Sequence, residues 1–233
     1  MDTVSVIIAA GGRSLRMEGI NKQLALLGGV PVIARSMMVF QGLEEVGEII
    51  VSARPEDMDT IENIAMIYGI SKFSGCAEGG ETRQQSVMNA LKKVSKETSL
   101  IAVHDGARPL VKAEFIKQCI RDASIFGGAA LAVPVKDTIK QAEGGFVTDT
   151  PDRSRLFITQ TPQIFKKKLY FDGVNFAADH ELDFTDDCQL AEAVGGKIHL
   201  TVSDYRNIKI TTPEDMAIAE AILGSAERKD NGV

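Results

Sequence analysis

The segment AAGGRSLRMEGINKQLALLGGVPVI, directly after the first apolar run, combines residue types that can hold a phosphate-bearing ligand. Ala9, Ala10, Gly11 and Gly12 are small enough for their backbone N–H groups to approach an anion closely. Arg13, Arg16 and Lys22 then place three cations within a short span. A loop at the carboxyl end of a parallel strand is where open α/β sheets bind ligands. The spacing matches neither GxxxxGK[ST] nor GxGxxG, which disfavours an ordinary P-loop or dinucleotide fold. The plainer alternative is a surface turn with solvated basic residues.

Two further clusters carry the same kind of chemistry. In EGGETRQQSVMNAL (78–91), Gly79-Gly80 makes a tight turn and Arg83 and Ser86 fall in the opening turns of a helix. Helix N-termini favour anionic and polar ligands, although an ordinary capped helix with Arg83 in solvent has the same pattern. In HDGARP (104–109), Asp105 at a strand end can ligate Mg²⁺ or bond a sugar hydroxyl, and Arg108 can contact a phosphate. His104 reads as a structural hydrogen-bonder, because no nucleophile elbow or metal-ligand pair accompanies it. Two more pieces are TQTPQIF (159–165) and NIKITTPEDM (207–216), the latter with Lys209 in a short strand before a capped helix. An edge-strand charge that discourages aggregation is the alternative for Lys209.

Such residues need a scaffold, and the rest of the chain supplies one. Near-continuous apolar runs predict strands at 4–9, 48–53, 100–104, 129–135 and 197–202. Runs such as VSVIIA and EIIVSA suit strands buried on both faces, in a mostly parallel α/β sheet under helices. Helices fit between them, one opening at Pro55 and another over 112–126 that stops at Gly127-Gly128. A last helix has Thr212 as N-cap, Pro213, Glu214 and Asp215 in its first turn, and Gly224 after its end. The segment 136–159 lacks helical period and reads as a projecting β-hairpin arm around Gly144-Gly145. A lone hairpin is marginal, so a second subunit is its natural support. These features give one domain over 1–226, with the arm at about 136–159 and a frayed tail over 227–233.

Composition narrows the setting. The chain has 233 residues and a formal net charge of -6, which argues against general nucleic-acid binding. Cys76, Cys119 and Cys188 are far apart and lack CxxC spacing, so a reducing compartment fits, with Cys119 in core packing. No stretch approaches the roughly 20 apolar residues of a membrane span, and the N-terminus has an acid where a signal peptide wants positive charge. A cytoplasmic protein is expected, with no nucleic-acid or membrane partner.

Taken in order, AAGGRSLRM…KQ, GGETRQQSV, HDGARP, PVKDTI, DRSRLFITQTPQIF and NIKITTPEDM resemble the 2-C-methyl-D-erythritol 4-phosphate cytidylyltransferase family. The resemblance runs from Val4 to Leu223. It implies transfer of a cytidylyl group from CTP to methylerythritol 4-phosphate with release of pyrophosphate, in non-mevalonate isoprenoid synthesis. It also implies a Rossmann-like sheet, dependence on Mg²⁺ or another divalent cation, and a homodimer joined through the arm. By motif, Arg16 and Lys22 correspond to cations on the triphosphate. Thr138 and Arg153 correspond to arm contacts with the polyol phosphate of the neighbouring subunit. Asp105, Arg108 and Lys209 correspond to the remaining substrate ligands, with Arg153 and Lys209 joining the catalytic set and Asp105 a candidate metal ligand. Ala9, Ala10, Gly11 and Gly12, with Gly80, Glu81, Arg83 and Ser86, correspond to the nucleotide pocket. The first loop has one residue more than the usual AAGxGxRM before Arg16, and Asn21 stands where proline often precedes the lysine. Arg13 is thereby left without an assigned role.

The chemistry is coherent. Transfer between two anionic reactants needs positioning and charge neutralisation, and an attacking phosphate needs no general base. A cytidylyltransferase for ribitol 5-phosphate shares the first loop and the TPQ segment, but the wording PVKDTIK and NIKITTPEDM favours methylerythritol. A non-catalytic nucleotide-binding module on the same fold is the rival from another class.

Overall fold

The computed structural model describes residues 3–12 and 21–230. Its strands and helices alternate: β1 (Val4–Ala9), β2 (Leu26–Leu27), β3 (Val30–Pro31), α1 (Val32–Gln41), β4 (Val46–Ala53), α2 (Pro55–Ile67), β5 (Phe73–Glu78), α3 (Arg83–Leu91) and β6 (Leu100–Asp105) form the first half. The second half contains α4 (Ala113–Phe126), β7 (Gly128–Pro134), β8 (Gln141–Glu143), β9 (Phe146–Asp149), β10 (Phe157–Lys166), α5 (Lys167–Asp179), α6 (Asp187–Ala193), β11 (Ile198–Val202) and α7 (Pro213–Asp230).

Seven strands form one twisted sheet in the order β11-β7-β10-β6-β1-β4-β5. All neighbours run parallel except β10, which is antiparallel to both β6 and β7. In β1, Val4, Val6 and Ile8 enter the layer under α1, α2 and α4, while Ile7 enters the opposite layer under α3, α5 and α6. A continuous apolar run is therefore required, because both faces are covered. Burying each such side chain contributes about 1.5–3 kcal/mol before entropy is counted. Register then levels the strand ends: Ala9 pairs with Ser52 of β4 on one side and Asp105 of β6 on the other. The loops leaving β1 and β6 consequently open onto the same edge.

The strands expected from apolar runs are present, β1 with both ends as expected and the others with ends displaced by at most two residues. Two strands of the seven-stranded sheet lack such a signal. β5, FSGCAE, lies at the sheet edge and buries only Cys76 and Ala77 fully. β10 carries Pro162 among Gln160, Thr161 and Gln163, and its pairing with β7 skips from Thr159 to Gln163. Proline and polar residues break a strand pattern, and the irregular register is how this strand tolerates them.

The arm is a hairpin of β8 and β9 turning at Gly144 and Gly145, with φ of 55° and 85°. It is shorter than the 136–159 expected, because 157–159 already belong to β10. Thr212 caps α7, and Asp215 Oδ2 answers by accepting the N–H groups of Thr211 and Thr212 at 2.8 and 2.9 Å. That helix does not stop at Gly224 but continues to Asp230. A helical glycine costs only about 1 kcal/mol, and the AERK that follows favours helix. Leu223 also packs with Leu27, Ala107 and Ile210 just before it. All three cysteines are free and buried, with Cys119 in the core.

Candidate active site

A cleft of about 620 Å³ opens where β1 and β6 end. Ala9, Gly11, Gly12 and Lys22 line it from the first loop, and Gly80, Glu81, Arg83 and Ser86 from the start of α3. Asp105 and Lys209 complete its floor. Residues scattered over some 200 positions are thus gathered at one sheet edge. Arg13 and Arg16 lie outside the described residues.

Asp105 is the electrostatic centre. Its carboxylate meets Lys209 Nζ at 2.9 Å, Arg83 Nε at 3.3 Å and Arg108 Nε at 3.5 Å. Burial alone would raise its pKa, but Lys209, Arg83 and Arg108 override that and hold it well below the usual carboxylate range. It stays ionised, and cations still outnumber carboxylates around the cleft: Lys22, Arg83, Arg108 and Lys209 against Glu81, Asp105 and Asp187. A concave site with that balance attracts phosphates despite the acidic whole.

Lys209 is not on a strand. It lies in an extended connection held by the Ile210 N–H to the Ala107 carbonyl at 2.8 Å, which removes the edge-strand alternative. Arg108 stands behind Asp105 rather than in the cleft wall, its Nη1 donating to the Asn207 carbonyl at 2.7 Å. It therefore braces the segment carrying Lys209, and burial lowers its pKa without discharging it.

The nucleotide loop shows a division of labour. Gly11 comes close to its neighbours: a Cβ there would sit 3.4 Å from Ser86 Oγ and 3.5 Å from Gly79 Cα. Gly12 faces open space in the cleft. Ala10 has its side chain in the core, and its N–H is taken by the Ser52 carbonyl at 2.7 Å. At α3, Thr82 caps Gln85 N–H, while Ser86 Oγ accepts Gly80 N–H at 2.9 Å and donates to the Thr82 carbonyl at 2.8 Å. Ser86 thus shapes the glycine turn beside the cleft.

His104 is fully buried with both ring nitrogens engaged. Nε2 lies 3.2 Å from the Arg108 carbonyl and Nδ1 lies 3.1 Å from Thr161 Oγ1. A carbonyl only accepts, so Nε2 carries the hydrogen and Nδ1 accepts from the hydroxyl. Burial lowers the pKa from 6.5 to about 4, leaving a neutral structural imidazole. Because the folded value lies below the unfolded one, the unfolded chain takes up the proton first as pH falls. Stability is then complete above about pH 6.5 and declines towards pH 4, by about 3 kcal/mol in all. Urea unfolding across that range should show this slope, and His104→Gln should flatten it. An unchanged slope in the variant would refute the assignment.

Thr138 and Arg153 do not line the cleft of their own chain. Both are exposed on the arm, where Arg153 Nη1 donates to the Lys136 carbonyl.

Several supporting residues went unnoticed in the sequence. Asp187, 1% exposed, accepts Arg83 Nη1 at 2.6 Å and the Tyr170 hydroxyl at 2.5 Å, so Arg83 spans two carboxylates. Gln163 Oε1 accepts the N–H groups of Asp187 and Cys188, tying β10 to α6. Asn207 Nδ2 donates to Gln160 Oε1 at 2.9 Å and the Thr161 carbonyl at 3.0 Å. The run TDD, an N-cap followed by a first-turn acid, was the one visible hint of Asp187.

Among the described residues no cluster of three His, Cys, Asp or Glu could cage a metal. Mg²⁺ is ordinarily held by one or two carboxylates together with substrate phosphates and water, and Glu81 and Asp105 are the carboxylates that line the cleft among the described residues.

The family model described as 2-C-methyl-D-erythritol 4-phosphate cytidylyltransferase matches residues 4–225. The protein of that name from Caldanaerobacter subterraneus subsp. tengcongensis is 44% identical over 223 residues, covering 94% of this chain and 98% of its own. That from Geobacillus kaustophilus is 41% identical over 220 residues, covering 94% and 96%. The crystal structure of 4-diphosphocytidyl-2C-methyl-D-erythritol synthase from Anaerococcus prevotii superposes with a TM-score of 0.86 at 32% identity, covering 96% of both chains.

Proposed function

The chain belongs to the 2-C-methyl-D-erythritol 4-phosphate cytidylyltransferase family, and from that premise we infer that it transfers a cytidylyl group from CTP to methylerythritol 4-phosphate. A phosphate oxygen of the polyol attacks the α-phosphorus of CTP. The new P–O bond forms CDP-methylerythritol as the bond to the β-phosphate breaks and pyrophosphate leaves. The alternative acceptor, ribitol 5-phosphate, is not favoured, since the family and its relatives carry the methylerythritol name. The observation that supports the reading is the cationic cleft, lined by Lys22 and with Arg83 and Lys209 paired to one ionised carboxylate.

In this reading Lys22, with Arg16, neutralises charge developing on the triphosphate. Ala9, Gly11, Gly12, Gly80, Glu81 and Ser86 shape the cytosine and ribose pocket, and Arg83, fixed by two carboxylates, presents a rigid guanidinium to it. Lys209 meets the polyol phosphate, and Asp105 bonds its hydroxyls. Bound Mg²⁺ would neutralise phosphate charge, with Asp105 as its one protein ligand. We further place Thr138 and Arg153 in the site of a neighbouring copy. The arm supports this, since Phe146 and Val147 are 80% and 62% exposed on it, apolar surface that a second subunit would cover. Among the described residues no helix is long and apolar enough to cross a membrane, and the buried free thiols support a cytoplasmic setting.

Pyrophosphate release from CTP, measured with each polyol phosphate in turn, tests the reading. A pocket built for one set of hydroxyls leaves polar groups unpaired with another, so kcat/KM should favour methylerythritol 4-phosphate by on the order of a hundredfold or more. Equal or better use of ribitol 5-phosphate would overturn it. Absence of turnover with either would return the chain to a binding module.

A further inference from the structure

The turn that carries Lys22 is fastened by side chains, and the fastening reaches across the fold. Asn21 Oδ1 accepts the Gln23 N–H at 3.1 Å, closing an Asx turn around Lys22. The Asn21 carbonyl accepts the N–H groups of Leu24 and Ala25 at 3.1 and 3.0 Å, continuing that turn. The other end of the same side-chain amide, Nδ2, donates to Asp57 Oδ1 at 2.8 Å. Asp57 lies in the first turn of α2 and is 6% exposed, and its second oxygen accepts Arg54 Nε at 2.7 Å. Each polar atom of the pair is therefore committed, and the Asn21 side chain cannot rotate without leaving a buried carboxylate oxygen unpaired. Leaving such a group unsatisfied is costly, so the arrangement holds one geometry.

We propose that Asn21 and Asp57 are positioning residues for Lys22: the Asn21–Asp57 hydrogen bond orients the turn that aims the lysine into the cleft. Neither residue lines the cleft, and both act through Lys22. The link matters because a displacement of about 1 Å at a catalytic group can cost on the order of a hundredfold in rate. The proposal deepens the cytidylyltransferase reading, and its kinetic consequence rests on that reading.

Reversing the polarity of the pair supplies the test. Asn21→Asp still caps Gln23 but faces Asp57 with a like charge, so kcat should fall on the order of tenfold or more with KM for CTP little changed. Combining Asn21→Asp with Asp57→Asn restores a donor opposite an acceptor and leaves an oxygen for Arg54, so kcat should recover. In a Lys22→Ala background, Asn21→Asp should cost nothing further, as expected for residues acting as one unit. Amide hydrogen exchange at Gln23 gives a readout independent of turnover: it should quicken in Asn21→Asp and slow again in the double variant. Folded single variants with undiminished kcat, or a double variant that fails to recover, would overturn the positioning role. Exchange that follows the pattern in a wild-type protein without turnover would sink the enzymatic reading instead and leave the bond standing.

Discussion

Lys22→Ala is expected to lower turnover by about a hundredfold or more while the protein stays folded. The magnitude follows from the position of the cation. Lys22 and Gly12 line the same cleft, where backbone can approach a triphosphate closely, and in a low-dielectric, pre-set site a missing charge partner costs about 3 kcal/mol. The loss should appear chiefly in kcat, because charge on the leaving pyrophosphate grows towards the transition state. The fold should survive because Asn21 and Asp57 hold the turn through their own hydrogen bonds. Steady-state kinetics on a variant with native circular dichroism and melting temperature provide the measurement. A folded variant with near-normal turnover would remove Lys22 from the chemistry.

How far this site could be read from sequence depended on whether the cause of each feature was local. β1 and β4 were legible because burial on both faces demands an unbroken apolar run, and the α7 start because a capping box is written in adjacent residues. The hairpin turn at Gly144 and Gly145 was legible for the same reason. β10 was not, since its place between β6 and β7 is set by tertiary pairing that overrides a proline and three polar residues. The pairing of Asp187 with Arg83 was not legible, because the two lie 104 positions apart and nothing in either neighbourhood announces the partner. Ala10 has a part in the fold that its residue type does not announce. Small size suggested close approach to a ligand, but its N–H belongs to the sheet and its methyl to the core. Arg108 likewise offered a charge that could touch phosphate, and the fold uses it to hold Asp105 and the Lys209 segment.

Thr138 and Arg153 raise a different question, because they lie on an exposed arm and line no part of the cleft in their own chain. If the arm completes the site of a second copy across a twofold axis, each active site contains Lys22 from one chain and Arg153 from the other. Arg153→Ala and Lys22→Ala homodimers should each be reduced by about a hundredfold. Mixing the two chains has an outcome that geometry alone decides. In a mixed dimer, the core with intact Lys22 receives the intact Arg153 from its partner, and the remaining site lacks both groups. Random reassortment makes about half of the dimers mixed, each with one complete site of two, so activity should return to roughly a quarter of wild type. If each arm served its own chain, every site would lack one group and mixing would restore nothing. The experiment needs distinguishable tags to verify that mixed dimers form, and pyrophosphate release to count the complete sites. Verified mixed dimers with no recovered activity would place Arg153 outside any shared site and leave the polyol phosphate to Lys209, already at 2.9 Å from Asp105.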